Sequence, residues 1–276
     1  MLNLILAILL SAVIAILMRL SEQKKQQDIA MLAVNYLTCT VLAAAAVPWV
    51  SLPTEGLGLT AAMGTVNGLL YLTSFVLLKV NVRRNGVVLS STFMKLGLLV
   101  TMLVSVVFYR EIPTLLQGVG FLLAVAAIIL LHYRKEAGGS GLKAGLILLL
   151  LCGGMCDAMS KIFDETLGAA PAPLFLLITF CTAMILCIGL MLKAKQFPGK
   201  RELLFGVLIG IPNVLSTRCL LRALGTLPAV LVFPAFSVST ILVVTLAGRL
   251  LFREKLSCKQ WIALAMILLA LVLLNV

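Results

Sequence analysis

Apolar residues run in ten long blocks broken by short polar stretches, over residues 2–18, 29–49, 59–78, 86–108, 113–133, 144–162, 172–192, 203–221, 227–248 and 257–276. Each block is close to the roughly 20 apolar residues that an α-helix needs to cross a bilayer core. The blocks and their short connections consume almost the whole chain. The pattern predicts an all-α membrane protein with ten transmembrane helices.

The ten blocks fall into two sets of five, and the second set repeats the first at an offset of 143 residues. Leu77-Leu78-Lys79 is matched by Leu220-Leu221-Arg222, Phe93 by Phe236, and Leu99-Val100 by Leu242-Val243. Tyr109-Arg110-Glu111 is matched by Phe252-Arg253-Glu254, Gln117 by Gln260, and Leu130-Leu131 by Leu273-Leu274, with no gap from Leu77 to Tyr133. Five is an odd number, so the second copy enters the membrane in the opposite sense. Two inverted five-helix repeats with a site at their interface are a transporter architecture. The expected division is residues 1–133, a linker over 134–143, and residues 144–276. The linker holds the one flexible, low-complexity stretch, Arg134 to Gly141.

Composition agrees with the pattern. Hydrophobic residues make up 62% of the chain, charged residues 12%, and the mean hydropathy is +1.17. A soluble domain carries about a quarter charged residues. The first block has no basic stretch ahead of it, and its charges follow it at Arg19, Lys24 and Lys25. It therefore reads as a retained span rather than a signal peptide. The seven cysteines form no Cys-x-x-Cys pair and His132 is the sole histidine, so the cysteines read as small packing residues and no metal site is expected. The net charge of +12 does not point to nucleic acid, because the basic residues sit at helix ends. Counting Lys259 with the loop before it, the loops after the odd spans carry 17 Lys and Arg residues. Those after the even spans carry 3, namely Arg110, Lys161 and Arg222. The positive-inside rule then places the odd loops in the cytoplasm and both termini outside.

The turn after the fourth helix of each half is short and acidic: Arg110-Glu111-Ile112-Pro113 and Arg253-Glu254-Lys255-Leu256. An apolar final helix follows each, with Gly118 and Gly120 in the first copy. Pro228 and Pro234 lie near the start of the fourth helix of the second half, where the first half has Asn85-Gly86. With the ten-helix layout, these marks resemble the drug/metabolite transporter superfamily, EamA-like branch, along the whole chain. The resemblance implies a multi-pass carrier of small metabolites in the cytoplasmic membrane, coupled to protons or exchange. Members are usually drawn with both termini in the cytoplasm; the charges of this chain say the reverse, and the expectation here follows the charges.

Polar residues inside the spans are the candidates for chemistry. Lys95 falls in the middle of span 4, where a cation costs about 2.5–3.5 kcal/mol on insertion scales. Its repeat equivalent is Val238, so the helix does not need a charge there. It reads as a solute or coupling contact, or as a structural ion pair with a neighbouring helix. Asp157 on span 6 is either a coupling carboxylate or a local partner of Lys161, four residues on. On span 8, Pro212 interrupts the backbone ladder, Asn213, Ser216 and Thr217 follow it, and Arg218 lies deep. Arg222 reads as an interface anchor. Asn67 and Tyr71 share a face of span 3. Span 2 offers Asn35, Tyr36, Thr38 and Thr40, and span 9 offers Ser237, Ser239 and Thr240. Any of these polar residues also serves as a helix–helix hydrogen bond.

The proposed substrate set is Lys95, Asn67, Tyr71, Asn213, Arg218 and Ser239, with Asp157 for coupling. No catalytic cluster, phosphate-binding loop or cofactor motif is present. The leading expectation is a secondary carrier for a small solute bearing a carboxylate or phosphate, or a zwitterion, working as a monomer or homodimer among membrane lipids. The other is a membrane accessory or scaffold protein of a glycan or lipid pathway, which needs no buried charge.

Overall fold

A computed structural model describes residues 1–22, 27–50, 56–85, 90, 93–94, 96–132, 144–168, 170–252 and 258–274. Ten α-helices and no strand occur among them: α1 (Leu2–Glu22), α2 (Asp28–Ala46), α3 (Leu57–Asn85), α4 (Leu98–Tyr109), α5 (Leu115–His132), α6 (Ala144–Leu167), α7 (Ala172–Lys193), α8 (Lys200–Leu224), α9 (Ala229–Phe252) and α10 (Cys258–Leu274). Six of these are long and apolar enough to cross a membrane: α2, α3, α6, α7, α8 and α9. The apolar stretches of α1, α4, α5 and α10 are shorter, the least being the twelve residues of α4. At 1.5 Å per residue α4 is about 18 Å long, less than the roughly 30 Å core.

Helix bounds differ from the hydropathy blocks where polar residues extend a helix beyond its apolar part. α3 continues to Asn85 and α6 to Leu167. The fourth block is interrupted by a turn at Leu96-Gly97 before α4 begins. The linker 134–143, Lys95 and the Arg253-Glu254 turn lie outside the described residues.

Backbone groups in lipid must be satisfied within the segment, and hydroxyl groups follow the same logic. Thr38, Thr40, Thr179, Thr217, Thr240 and Thr245 each donate to the carbonyl four residues back at 2.7–2.9 Å. Their polarity is absorbed by their own helices, so a threonine in a span is no sign of a polar wall.

The chain forms two compact units, and each draws on both sequence halves. The first contains residues 1–72 and 162–226, the second residues 73–161 and 227–276. In the first unit α8 packs along α1 and α2, and α2 packs along α7. Close backbone approach is set by two glycine pairs. A Cβ on Gly206 would stand 2.5 Å from Val34 Cβ and 3.0 Å from Met31 O; one on Gly210 would stand 2.7 Å from Thr38 Cβ and 2.9 Å from Asn35 O. On α3, a Cβ on Gly64 would meet Ile178 Cβ at 2.9 Å and Phe175 O at 3.1 Å. One on Gly68 would meet Thr182 Cβ at 2.7 Å and Thr179 O at 2.6 Å. The two sets correspond atom type for atom type. The glycines differ by 142 residues (206 − 64 and 210 − 68). The residues they meet differ by 144 (175 − 31, 178 − 34, 179 − 35 and 182 − 38). Each glycine pair belongs to one half of the sequence and rests on a helix of the other.

In the second unit α5 packs along α10, and α4 along α9. The core here holds Leu96, Leu98, Phe121, Ala124, Ala127, Ile128, Val238, Ile241, Ile267, Ala270 and Leu274. Alanines at the α5–α10 contact let the helices approach, as small residues do between membrane helices. α3 joins α6 through Asn81, whose amide donates to Gly145 O at 2.9 Å. Ser74 Oγ and Cys156 Sγ lie 3.6 Å apart. Gly97 and Gly154 bring the start of α4 onto α6, where Thr101 Oγ1 donates to Gly154 O at 3.2 Å.

Candidate functional site

In the first unit α8 organises the polar residues, and its faces send them to different neighbours. Asn213 donates to Asn35 Oδ1 on α2 at 3.3 Å. Ser216 donates to Ala7 O on α1 at 2.9 Å. Cys39 lies 3.3 Å from Gly210 O, close to the break that Pro212 makes in the α8 ladder. These are helix–helix bonds.

Asn67 is different. It is 1% exposed, and its Oδ1 has no partner among the described residues. A buried amide oxygen without a donor costs free energy, and such groups are rare. Its neighbour one turn on, Tyr71, sets its ring edge-on to Phe180 of α7, 6.3 Å between centroids.

Further along α8, Arg218 and Arg222 stand one turn apart and line a cavity of ≈150 Å³. Its other walls are Asp164 from the last turn of α6, Ala172, Pro173 and Leu176 from the first turns of α7, and Leu221. Arg218 is half-buried, and Arg222, expected as a simple interface anchor, is exposed at the cavity. Asp164 was not anticipated from sequence. The available signal was its position two turns after Asp157, at the end of a span.

The second unit holds a buried ion pair. Lys161 is 2% exposed and its Nζ lies 2.6 Å from Glu111 Oε1. Glu111 Oε2 accepts the Val230 N–H at 3.2 Å, at the start of α9. The carboxylate thus neutralises a buried ammonium and serves a helix N-terminus whose first N–H groups lack internal partners. Lys161 Nζ also stands 5.7 Å from the Tyr109 ring centroid. Helix spacing suggested Asp157 as the partner of Lys161. A strong contact comes from fifty residues away, because Arg110 ends α4 in a left-handed conformation (φ 53°) and turns Glu111 toward α6.

Asp157 is half-buried and engaged in an interaction of its own. Ser239 is half-buried on α9. Of the expected site residues, Asn67, Tyr71, Asn213 and Arg218 belong to the first unit, and Asp157 and Ser239 to the second. Among the described residues, no cluster of three or more His, Cys, Asp and Glu side chains is poised to hold a metal.

Residues 144–276 match the model of the EamA-like transporter family. An uncharacterized protein of Haemophilus influenzae (strain ATCC 51907 / DSM 11121 / KW20 / Rd) is 25% identical over 278 residues, covering 95% of this chain and 93% of its own. A solved crystal structure superposes with a TM-score of 0.75 at 17% identity, over 99% of this chain and 94% of the other. That likeness shows a shared fold along nearly the whole length. The apolar helices make this a multi-pass membrane protein, and its residues 144–276 are similar to the EamA-like transporter family, a family of carriers rather than enzymes.

Proposed function

We propose that the chain is a secondary active carrier that moves a small metabolite across the cytoplasmic membrane by alternating access. In this reading residues 1–133 and 144–276 are two inverted five-helix repeats joined by 134–143, and all ten helices span the bilayer.

The observation that carries the reading is the reciprocity of the glycine seats. Gly64 and Gly68 of one half rest on α7 of the other, and Gly206 and Gly210 rest on α2 through matching atoms. A two-fold relation demands this: if a patch on A meets a patch on B, the equivalent patch on B meets its equivalent on A. The pairings of α2 with α7, α4 with α9 and α5 with α10 support it, since each joins a helix to its counterpart five places on. An odd number of helices per half puts such an axis in the membrane plane.

The solute-facing residues proposed are Lys95, Asn67, Tyr71, Asn213, Arg218 and Ser239, with Asp157 for proton coupling. The unpaired Oδ1 of Asn67 supports that set, because a buried acceptor calls for a donor from a solute or from another state of the helices. The cationic bias of Lys95 and Arg218 favours a carboxylate or phosphate ester.

The test is tracer counterflow in proteoliposomes with a panel of radiolabelled carboxylates, phosphate esters and amino acids. The expectation is exchange of at least one of them above empty liposomes, abolished by Lys95→Met without loss of insertion or thermal stability. Folded, inserted protein that moves none of them would favour the scaffold role.

A further inference from the structure

We infer that Arg218 and Arg222 form a binding site for a small apolar monocarboxylate in the cavity between the ends of α6, α7 and α8. The two arginines are one helical turn apart, so both guanidinium groups serve the same face of α8. Both line the same ≈150 Å³ cavity. A guanidinium is always charged and only donates hydrogen bonds, and its planar fork matches the two oxygens of a carboxylate.

The remaining lining sets the charge and size of the ligand. Two arginines against Asp164 leave one net positive charge. Asp164 already has an interaction partner, so the unmatched chemistry is cationic. A dianion would set its second charge against the Asp164 carboxylate, and an amine would face the two arginines. Ala172, Pro173, Leu176 and Leu221 supply the rest of the wall, with no aromatic ring, side-chain amide or hydroxyl to read a base or a sugar. An apolar cavity of this volume holds a molecule about the size of benzene, so the acid carries about four to six carbons. Ala172 is the first residue of α7, whose positive end adds to the attraction for an anion. The binding site stands on the geometry of one compact unit; its place on a translocation route rests on the carrier reading above.

The test is equilibrium binding to the purified full-length protein, with isothermal calorimetry and thermal shift and no gradient present. The probes are 4-methylpentanoate, L-leucine, isopentylamine and glutarate, which share a similar carbon skeleton or length and differ in charge. The expected order is 4-methylpentanoate tightest, L-leucine at least threefold weaker, and no binding of isopentylamine or glutarate. Arg218→Gln and Arg222→Gln should each weaken 4-methylpentanoate at least tenfold. Arg222 is exposed, so its variant reports even if Arg218→Gln fails to fold.

Tighter binding of L-leucine, glutarate or isopentylamine than of 4-methylpentanoate would overturn the inference. So would the absence of binding, or affinity unchanged in a folded Arg222→Gln variant. Binding without counterflow counts against the carrier reading alone. Counterflow that is indifferent to both arginines counts against this site alone.

Discussion

Replacing Gly68 by alanine tests both the helix seats and their reciprocity. The added Cβ would stand 2.6 Å from Thr179 O, a backbone atom that cannot rotate away, and 2.7 Å from Thr182 Cβ. Ordinary contact begins at 3.4 Å, so α3 and α7 must separate locally by about 0.8 Å (3.4 − 2.6). Overpacking of this kind costs about 1–3 kcal/mol. A seat blocked by backbone takes the upper half of that range, about 2–3 kcal/mol, and alanine returns about 0.8–1.0 kcal/mol of helix propensity, which leaves a net loss of about 1–2 kcal/mol. Gly210→Ala meets Thr38 Cβ at 2.7 Å and Asn35 O at 2.9 Å and should lose a similar amount. Gly189, within α7, has nothing within 4 Å of a Cβ, so Gly189→Ala keeps only the propensity gain and should be neutral or stabilised.

The assay is thermal unfolding of each purified variant in one detergent at one scan rate, since unfolding here is read as a kinetic stability. At about 2–4 °C per kcal/mol for a chain of this class of size, Gly68→Ala and Gly210→Ala should each melt about 2–8 °C below the parent. If both melt with Gly189→Ala, the close approach is wrong. If only one seat is sensitive, the reciprocity fails and the two-fold relation loses its main support.

Removing one member of the Lys161–Glu111 pair leaves a buried charge, so Glu111→Gln and Lys161→Met should each destabilise, by up to about 3–5 kcal/mol. The double variant should recover at least about 1 kcal/mol relative to the sum, measured as a thermal-stability cycle; strict additivity would mean the pair contributes nothing. Ser216→Ala removes one interhelical bond to Ala7 O and should cost about 0.6 kcal/mol, typical of such bonds in membranes; unchanged unfolding would place the hydroxyl elsewhere. With 17 of the 20 loop Lys and Arg residues in the odd loops, a C-terminal fluorescent protein that matures only in the cytoplasm should stay dark, and bright cells would reverse the orientation.

Sequence alone determined that this is an all-helical membrane protein, because a run of apolar residues without water around it has only the helix to satisfy its backbone. Hydropathy placed ten helices within a few residues of the observed ones. It missed where charged residues prolonged α3 and α6, since a helix does not end where its apolar part ends, and at the fourth block, which a turn at Leu96-Gly97 interrupts so that α4 begins only at Leu98. The acidic turn at Arg110-Glu111 and the offset between halves were also legible in the sequence.

Partners were not legible. The short contact of Lys161 with Glu111 comes through a left-handed turn that no local pattern announces. The 143-residue offset was read from Leu77 onward. The glycine seats extend the correspondence to α2, α3, α7 and α8, at offsets of 144 and 142 that an ungapped comparison does not see. Asn213 and Ser216 had the same standing as Asn67 in the sequence. Only packing showed that the first two are spent on α2 and α1, while the Oδ1 of Asn67 is left without a donor among the described residues. Asp164 joined Arg218 and Arg222 because the ends of α6, α7 and α8 meet. Residue type and period set what a helix can bury, but which helix it meets is decided by shape at the contact, and that is a property of two segments far apart in the chain.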